Sequence, residues 1–494
     1  MSLDSKQTGA VSPSGQGAVS AGSIQPHAAQ PDAADRLGTV AVGKLLFQFS
    51  LPAITGMLVA ALYNVVDRIF VGRGVNEIAL GGLSLVLPLM TIHMAIAMLF
   101  GIGSANMISM RLGQGRRGEA ENALNHCFFL LLFMGVLTTA LGLIFMEPLL
   151  SLLGAQKNSA ALLYSREYFR IILLGSAFSM LGFGFSHCTR AQGFPAVTMI
   201  SMILGAGLNI ILDPVFIFLL DWGVRGAAWA TIISQCASAV WIVSFSLGKR
   251  AVIKLKLRSF KPSLSMIGQI MAFGSAQFLL QFIMSAVQLL NNMSMGWYGA
   301  EALGVENGGD IALSGMTIGG SIIMMILMPV FGINQGAQPI LGYNYGAKRY
   351  SRVLRAYILA TGAATAICVV GFAVVELFPN FLVGIFITES SEALLAFAPL
   401  AMRIAVLMMP LNGFQIVSTN MYVVTGRPKF SIFLSMLRQF IVLIPCILIF
   451  GKVWGLWGVV AAGPVADAFS FIITAVMISF ELRKLRRDSA VSHA

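Results

Sequence analysis

A chain of 494 residues that is 57% hydrophobic and only 11% charged, with a mean hydropathy of +0.83, stands far from the roughly 25% charge of a soluble domain and excludes water as its main solvent. The net charge of +12 does not mark a nucleic-acid partner, because Lys and Arg fall in short clusters between apolar runs and not along one face. Cys127, Cys188, Cys236, Cys368 and Cys446 each lie in an apolar run without CxxC or CxxH spacing, which excludes a disulfide framework and a structural metal site.

In chain order, residues 1–36 are rich in Ser, Ala, Gly, Gln and Pro and nearly free of large apolar side chains, the composition of a disordered tail. The first apolar run opens near Leu45, too long for a signal peptide, and is read as the first span. A crossing takes about 20 mostly apolar residues. On that measure about twelve spans follow, centred near Leu58, Met94, Leu137, Leu174, Leu208, Val240, Leu280, Met325, Val370, Val406, Leu443 and Phe471. The fold class is therefore an all-α polytopic membrane protein.

An even count puts both termini on one side, and the connections sort by charge. One set carries Arg111, Arg116 and Arg117, the run from Lys249 to Lys261, Lys348, Arg349, Arg352 and Arg355, and the tail with Arg483, Lys484, Arg486 and Arg487. The other is poor in Lys and Arg and carries Glu77, Glu147, Asp221, Glu301, Glu306, Asp310, Glu376 and Glu389. The positive-inside rule makes the basic set, with both termini, cytoplasmic.

The chain also repeats itself. Gly101-Ile-Gly-Ser-Ala aligns with Gly332-Ile-Asn-Gln-Gly at an offset of 332 − 101 = 231; Gln192-Gly-Phe-Pro aligns with Thr425-Gly-Arg-Pro at 233, and Trp222-Gly with Trp454-Gly at 232. Collinear matches at a near-constant offset predict two pseudo-symmetric six-helix lobes, 37–255 and 256–485, followed by a cytoplasmic tail at 486–494. With six spans in each, the repeats are parallel, and rocking one lobe against the other suits a carrier.

Charged groups are costly inside a span, about 2.5–3.5 kcal/mol or more at its centre, so acids there are candidates for function. Asp67 falls in span one, Asp213 in span five and Asp467 in span twelve. Counting from the outer helix ends at 1.5 Å per residue puts Asp67 about 8 Å deep, Asp213 about 12 Å and Thr231 of span six about 9 Å. Asn209 lies one turn below Asp213 on the same face. Two carboxylates, an amide and a hydroxyl, all oxygen and free of thiols, suit a hard cation or a proton. Each Asp could instead pair with a neighbouring donor such as Arg68 or Tyr63. Asp467 is the weaker candidate, because Arg438 of span eleven can neutralise it. Pro52 in span one and Pro214 beside the acids each remove a helix hydrogen bond and allow a bend. His93, His126 and His187 are read as satisfied helix residues.

Leu-Pro52, Tyr63-Asn-Val-Val-Asp67, Gly101-Ile-Gly-Ser-Ala, Leu112-Gly-Gln-Gly115, Gln192-Gly-Phe-Pro195, Asn209-Ile-Ile-Leu-Asp213-Pro214 and Gln335-Gly-Ala-Gln-Pro-Ile to Tyr343-Asn-Tyr-Gly346 together resemble the multidrug and toxic compound extrusion family, in its bacterial branch with the ion site in the amino-terminal lobe. The resemblance implies a twelve-helix exporter of cationic, amphipathic drugs in the inner (plasma) membrane, driven by Na⁺ or H⁺ as coupling ion and needing no cofactor. It further implies cation ligands at Asp67, Asn209, Asp213 and Thr231, bending at Pro52, and candidate substrate-cavity positions at Tyr63, Asn64 and Gln335. Membrane lipid is the expected surroundings and a monomer the expected state. The alternative is a lipid or lipid-linked oligosaccharide flippase of related fold, which needs a cationic cavity for phosphates. An integral-membrane enzyme is disfavoured, since no HExxH or DDxxD-type cluster occurs.

Overall fold

The computed structural model describes residues 33–74, 77–152, 160–256, 262–304, 308–385 and 392–491. The tail segments 1–32 and 492–494 lie outside the described residues. Its elements are helical, as a bilayer requires, because a helix satisfies its backbone N–H and C=O groups within one segment. The first bundle comprises α1 (Ala33–Thr39), α2 (Val42–Gly74), α3 (Glu77–Gly113), α4 (Arg117–Ile144), α5 (Met146–Leu152), α6 (Ala160–Leu174), α7 (Ser176–Ala191), α8 (Pro195–Pro214) and α9 (Gly223–Leu247). The second comprises α10 (Leu264–Ala302), α11 (Gly308–Gly346), α12 (Tyr350–Leu377), α13 (Pro379–Gly384), α14 (Glu392–Val406), α15 (Met409–Val424), α16 (Pro428–Met436) and α17 (Ile444–Val491). Helix begins at Ala33, inside the stretch read as tail, and runs on to Val491 at the other end. π-helical turns at Val215–Leu219 and Leu437–Leu443 extend α8 and join α16 to α17.

Among the described residues, nine helical runs are long and apolar enough to cross a membrane, and two bent pairs raise the count to eleven. One of the nine, Pro428–Ala490, holds 63 residues, about 95 Å of helix against a hydrocarbon thickness of about 30 Å. It breaks at Gly455, whose φ of 59° no other part of that helix shares. That break divides it into two crossings, so the total is twelve. Spans four and ten, centred by the sequence near Leu174 and Val406, are bent, by 58° between α6 and α7 and by 45° between α14 and α15. At the first bend a Cβ on Gly175 would sit 2.5 Å from Ile232, so α9 packs against the backbone there with no room for a side chain. At the second, Pro410 in the first turn of α15 cannot donate to the Val406 carbonyl.

The repeat is visible in the backbone. Left-handed residues recur in matched connections, Gly115 with Lys348, Gly193 with Gly426 and Gly223 with Gly455. Lys348 stands where its counterpart is glycine and carries the strain of about 1 kcal/mol that an L-residue meets there.

The lobes meet along α2 against α11 and α3 against α10 and α11. Glycine makes this approach possible: an added Cβ would lie 1.8 Å from the Leu99 carbonyl at Gly274, 2.0 Å from the Tyr343 carbonyl at Gly113, and 2.6 Å from Ser50 Oγ at Gly336. Backbone-to-backbone contact at small residues is how helices associate where apolar burial offers no drive. Polar pairs reinforce the seam, with Gln338 donating to Asn106 (2.6 Å) and Arg111 to Gln269 (3.4 Å). These contacts gather at the end that carries the basic connections.

The chain entry is fastened to the other lobe at the same end. Leu37 is fully buried, and the last carbonyls of α1 and the residue after it are taken up by the second bundle. Asn344 donates to Leu37 O (2.9 Å), Arg349 to Gly38 O (2.7 Å), and Arg352 to both Leu37 O (3.2 Å) and Val40 O (2.5 Å). Cations suit a helix C-terminus, where unsatisfied carbonyls concentrate negative charge. The inter-lobe linker lies on the first bundle, with the Ser263 amide donating to His126 Nε2 and the Lys256 amide to Asn125 Oδ1. Charge-assisted bonds are worth about 1.5–3 kcal/mol each. Arg352→Ala is therefore expected to accelerate amide hydrogen exchange across residues 37–46 at least tenfold, with exchange in α7 unchanged.

Candidate functional site

Asp213 sits at the end of α8, one residue before Pro214, and is fully buried. Proline cannot donate to the Ile210 carbonyl, and the helix then widens into the π turn Val215–Leu219. Such turns interrupt regular packing and recur at functional sites. One turn earlier, buried Asn209 donates from Nδ2 to Asp213 Oδ1 at 3.2 Å. α8 packs closely on α2, where a Cβ at Gly56 would fall 2.5 Å from Met202 Sδ. That contact brings the Asp67 carboxyl of α2 into hydrogen-bonding reach of the Asp213 carboxyl.

Two ionised carboxylates contain no hydrogen to share. Asp213 Oδ2 and Asn209 Oδ1 are moreover buried acceptors that meet no donor among the described residues. The arrangement is complete only when a proton or a cation joins the oxygens, because neighbouring carboxylates in low dielectric cannot both stay charged alone. Thr231 of α9 donates to the Ala227 carbonyl at 3.0 Å, which leaves its lone pairs for other partners. Its hydroxyl lies within reach of that of Tyr168, a buried residue of α6. Tyr63, one turn below Asp67 on α2, lies within electrostatic reach of both acids.

The four oxygen-bearing side chains proposed from depth thus come from three helices of one bundle. Tyr168 was not among them: a tyrosine in an apolar run carries no signal that its hydroxyl turns inward. The Asn64 side chain lies outside the described residues. Gln335 sits in the inter-lobe seam, accepting from Arg190 at 2.5 Å and donating to Met57 Sδ at 3.4 Å. Pro52 is inside α2, which runs unbroken past it and packs there on α11, with Ser50 facing Gly336 and Ile54 facing Gly332.

The second bundle is built differently. At the offset of 232, Asn209, Asp213 and Thr231 correspond to Ile441, Pro445 and Gly463, which offer no side-chain oxygen. Its buried acid, Asp467, is ion-paired with Arg438 on the π turn, and Gln415 donates to the Asp467 carbonyl at 2.7 Å. Among the described residues, no group of three or more His, Cys, Asp or Glu gathers to hold a metal ion.

The MatE family profile matches residues 52–215 and 277–449. The chain is 27% identical over 444 residues to the multidrug export protein MepA of Staphylococcus aureus, spanning 90% of this chain and 94% of that protein. Its fold superposes with a TM-score of 0.84 on the outward-facing conformation of a multidrug resistance MATE family transporter of the MOP superfamily, at 26% identity over 92% of this chain and 98% of that one. A MATE structure in the bent conformation matches with the same score and identity over 93% and 99%.

Replacing one of two facing acceptors by a donor should relieve the site. Asp213→Asn is expected to raise the thermal midpoint of the purified protein at neutral pH, since its amide can donate to Asp67, a gain of about 1–3 kcal/mol. The difference should shrink in acid, where a proton bridges the native pair. A lower midpoint at neutral pH would contradict this reading of the two carboxyls.

Proposed function

The chain belongs to the MatE family of membrane transporters, and from that premise we propose that it is a secondary active multidrug efflux antiporter that exports cationic and amphipathic compounds in exchange for Na⁺ or H⁺. It is a transporter and not an enzyme. The observation that carries the coupling is the closeness of the buried Asp213 carboxyl to the half-buried Asp67 carboxyl, with acceptor oxygens on Asp213 and Asn209 that meet no donor among the described residues. Thr231 and its neighbour Tyr168 complete an oxygen-lined pocket that a Na⁺ ion or a proton neutralises.

The lobes are joined at the basic end. With basic connections and both termini on the cytoplasmic side of the inner membrane, the path between the lobes then leads outward, the state from which a drug leaves. A cation arriving from outside binds the Asp67/Asp213 pair and removes the acceptor–acceptor repulsion. α2 and α8 then repack, α2 bending at Pro52, where the Gln48 carbonyl has no proline N–H to bond. Bound drug, held near Tyr63, Asn64 and Gln335, loses affinity and is released. Coupling free energy is reciprocal, so drug binding must weaken cation binding by the same factor. A single chain holds both lobes and the whole pocket, so a monomer in lipid suffices.

Protein reconstituted in liposomes should extrude a preloaded fluorescent cation only when an inward Na⁺ or proton gradient is imposed, and whichever gradient works identifies the coupling ion. Asp67→Asn and Asp213→Asn should each lower the gradient-driven rate at least a hundredfold while inserting normally. Undiminished efflux in either variant would remove the site from the mechanism, and dye flux without any gradient would make the protein a channel.

A further inference from the structure

Arg190 is 4% exposed and lies in the last turn of α7, at the seam between the lobes. A guanidinium has five N–H donors. One goes to Gln335, a neutral amide, and no described carboxylate bears on it electrostatically. The helix C-terminus offers partial compensation, but that is smaller than the cost of a buried charge without a counter-charge. Arg438, a half-buried arginine of the spans, has its acid in Asp467. Arg190 lacks such an acid.

Beside Arg190 is a small cavity lined by Ala105, Ser109, His187, Arg190, Gln338 and Pro339, with room for roughly one water-sized sphere. His187 is three residues before Arg190 on the same helix face, and its buried Nε2 meets no hydrogen-bond partner. Of the other polar lining groups, Ser109 donates to the Asn106 carbonyl (3.0 Å) and Gln338 donates one of its two amide N–H groups to Asn106 Oδ1 (2.6 Å). The donors left to the cavity are the guanidinium, the imidazole and the second amide N–H of Gln338, set among alanine and proline walls. This is a small electropositive pocket with largely apolar walls.

We propose that this cavity is a halide site, in which a chloride ion accepts from Arg190 and from His187 Nε2–H. Arg190 and His187 come from the first bundle, Gln338 and Pro339 from the second, so the pocket exists whole only while the basic end is closed. A ligand that binds one state better shifts the population toward it. Chloride thus holds the seam shut, independently of the Asp67/Asp213 pair and of which cation drives transport.

The test reads binding and not transport. Full-length protein in detergent is titrated with sodium chloride against sodium gluconate, keeping Na⁺ and ionic strength constant so that the cation site sees no change. Chloride should raise the thermal midpoint in a saturable way, bromide should substitute, and Arg190→Gln should abolish the response. His187→Phe keeps an aromatic ring but loses the donor; it should shift the half-saturating chloride concentration at least tenfold and stands in if Arg190→Gln does not fold. Crystals grown in bromide should show an anomalous peak in contact with both side chains. Equal midpoints in chloride and gluconate, an undiminished response in either variant, or a cavity holding only water in bromide crystals would overturn the proposal.

Discussion

A charge enclosed in a low-dielectric bundle needs company, and this molecule meets that requirement with two kinds of partner. Asp467 takes Arg438 and Glu481 takes Arg427. These are pairs within the chain, neutral whatever the surroundings do. Asp213 has an amide on one oxygen and a second acid beside it. Two acids so placed do not neutralise each other, and this separates the arrangement from a structural ion pair.

Duplication accounts for the scaffold but not for the chemistry. The two halves share left-handed turns at corresponding places, bends in spans four and ten, and π-helical turns in spans five and eleven. Backbone geometry of this kind survives wherever a turn must close at the same point. The side chains diverged: oxygen at Asn209, Asp213 and Thr231 faces Ile441, Pro445 and Gly463 across the repeat. The result is an asymmetric charge distribution on a symmetric frame.

The seam between the lobes is suited to parting. Glycines at 113, 274 and 336 bring backbone against backbone without interlocking side chains, so separation requires no unthreading of rotamers. What resists it is polar and local: Gln338 on Asn106, Gln335 on Arg190, and the arginines that grip the last carbonyls of α1. Each is a discrete bond that is either made or broken, the property a two-state element needs.

The sequence by itself determined the quantities that lie along the chain. Run length set the twelve crossings, a constant offset revealed the doubled lobes, and the axial rise of a helix put Asp67, Asp213 and Thr231 at one depth. These are one-dimensional signals, and hydrocarbon enforces them residue by residue. Tertiary structure decided what depends on direction around a helix axis and on breaks along it. Depth alone did not say that Asp67 turns toward Asp213, that the Tyr168 hydroxyl lies within reach of Thr231, or that Arg190 faces an amide and not an acid. Nor did an apolar run reveal the bend at Gly175, where Ile232 of another helix packs against the backbone. Azimuth and curvature are set by which neighbour packs where, and that information is shared among several segments of the sequence and held by none of them alone.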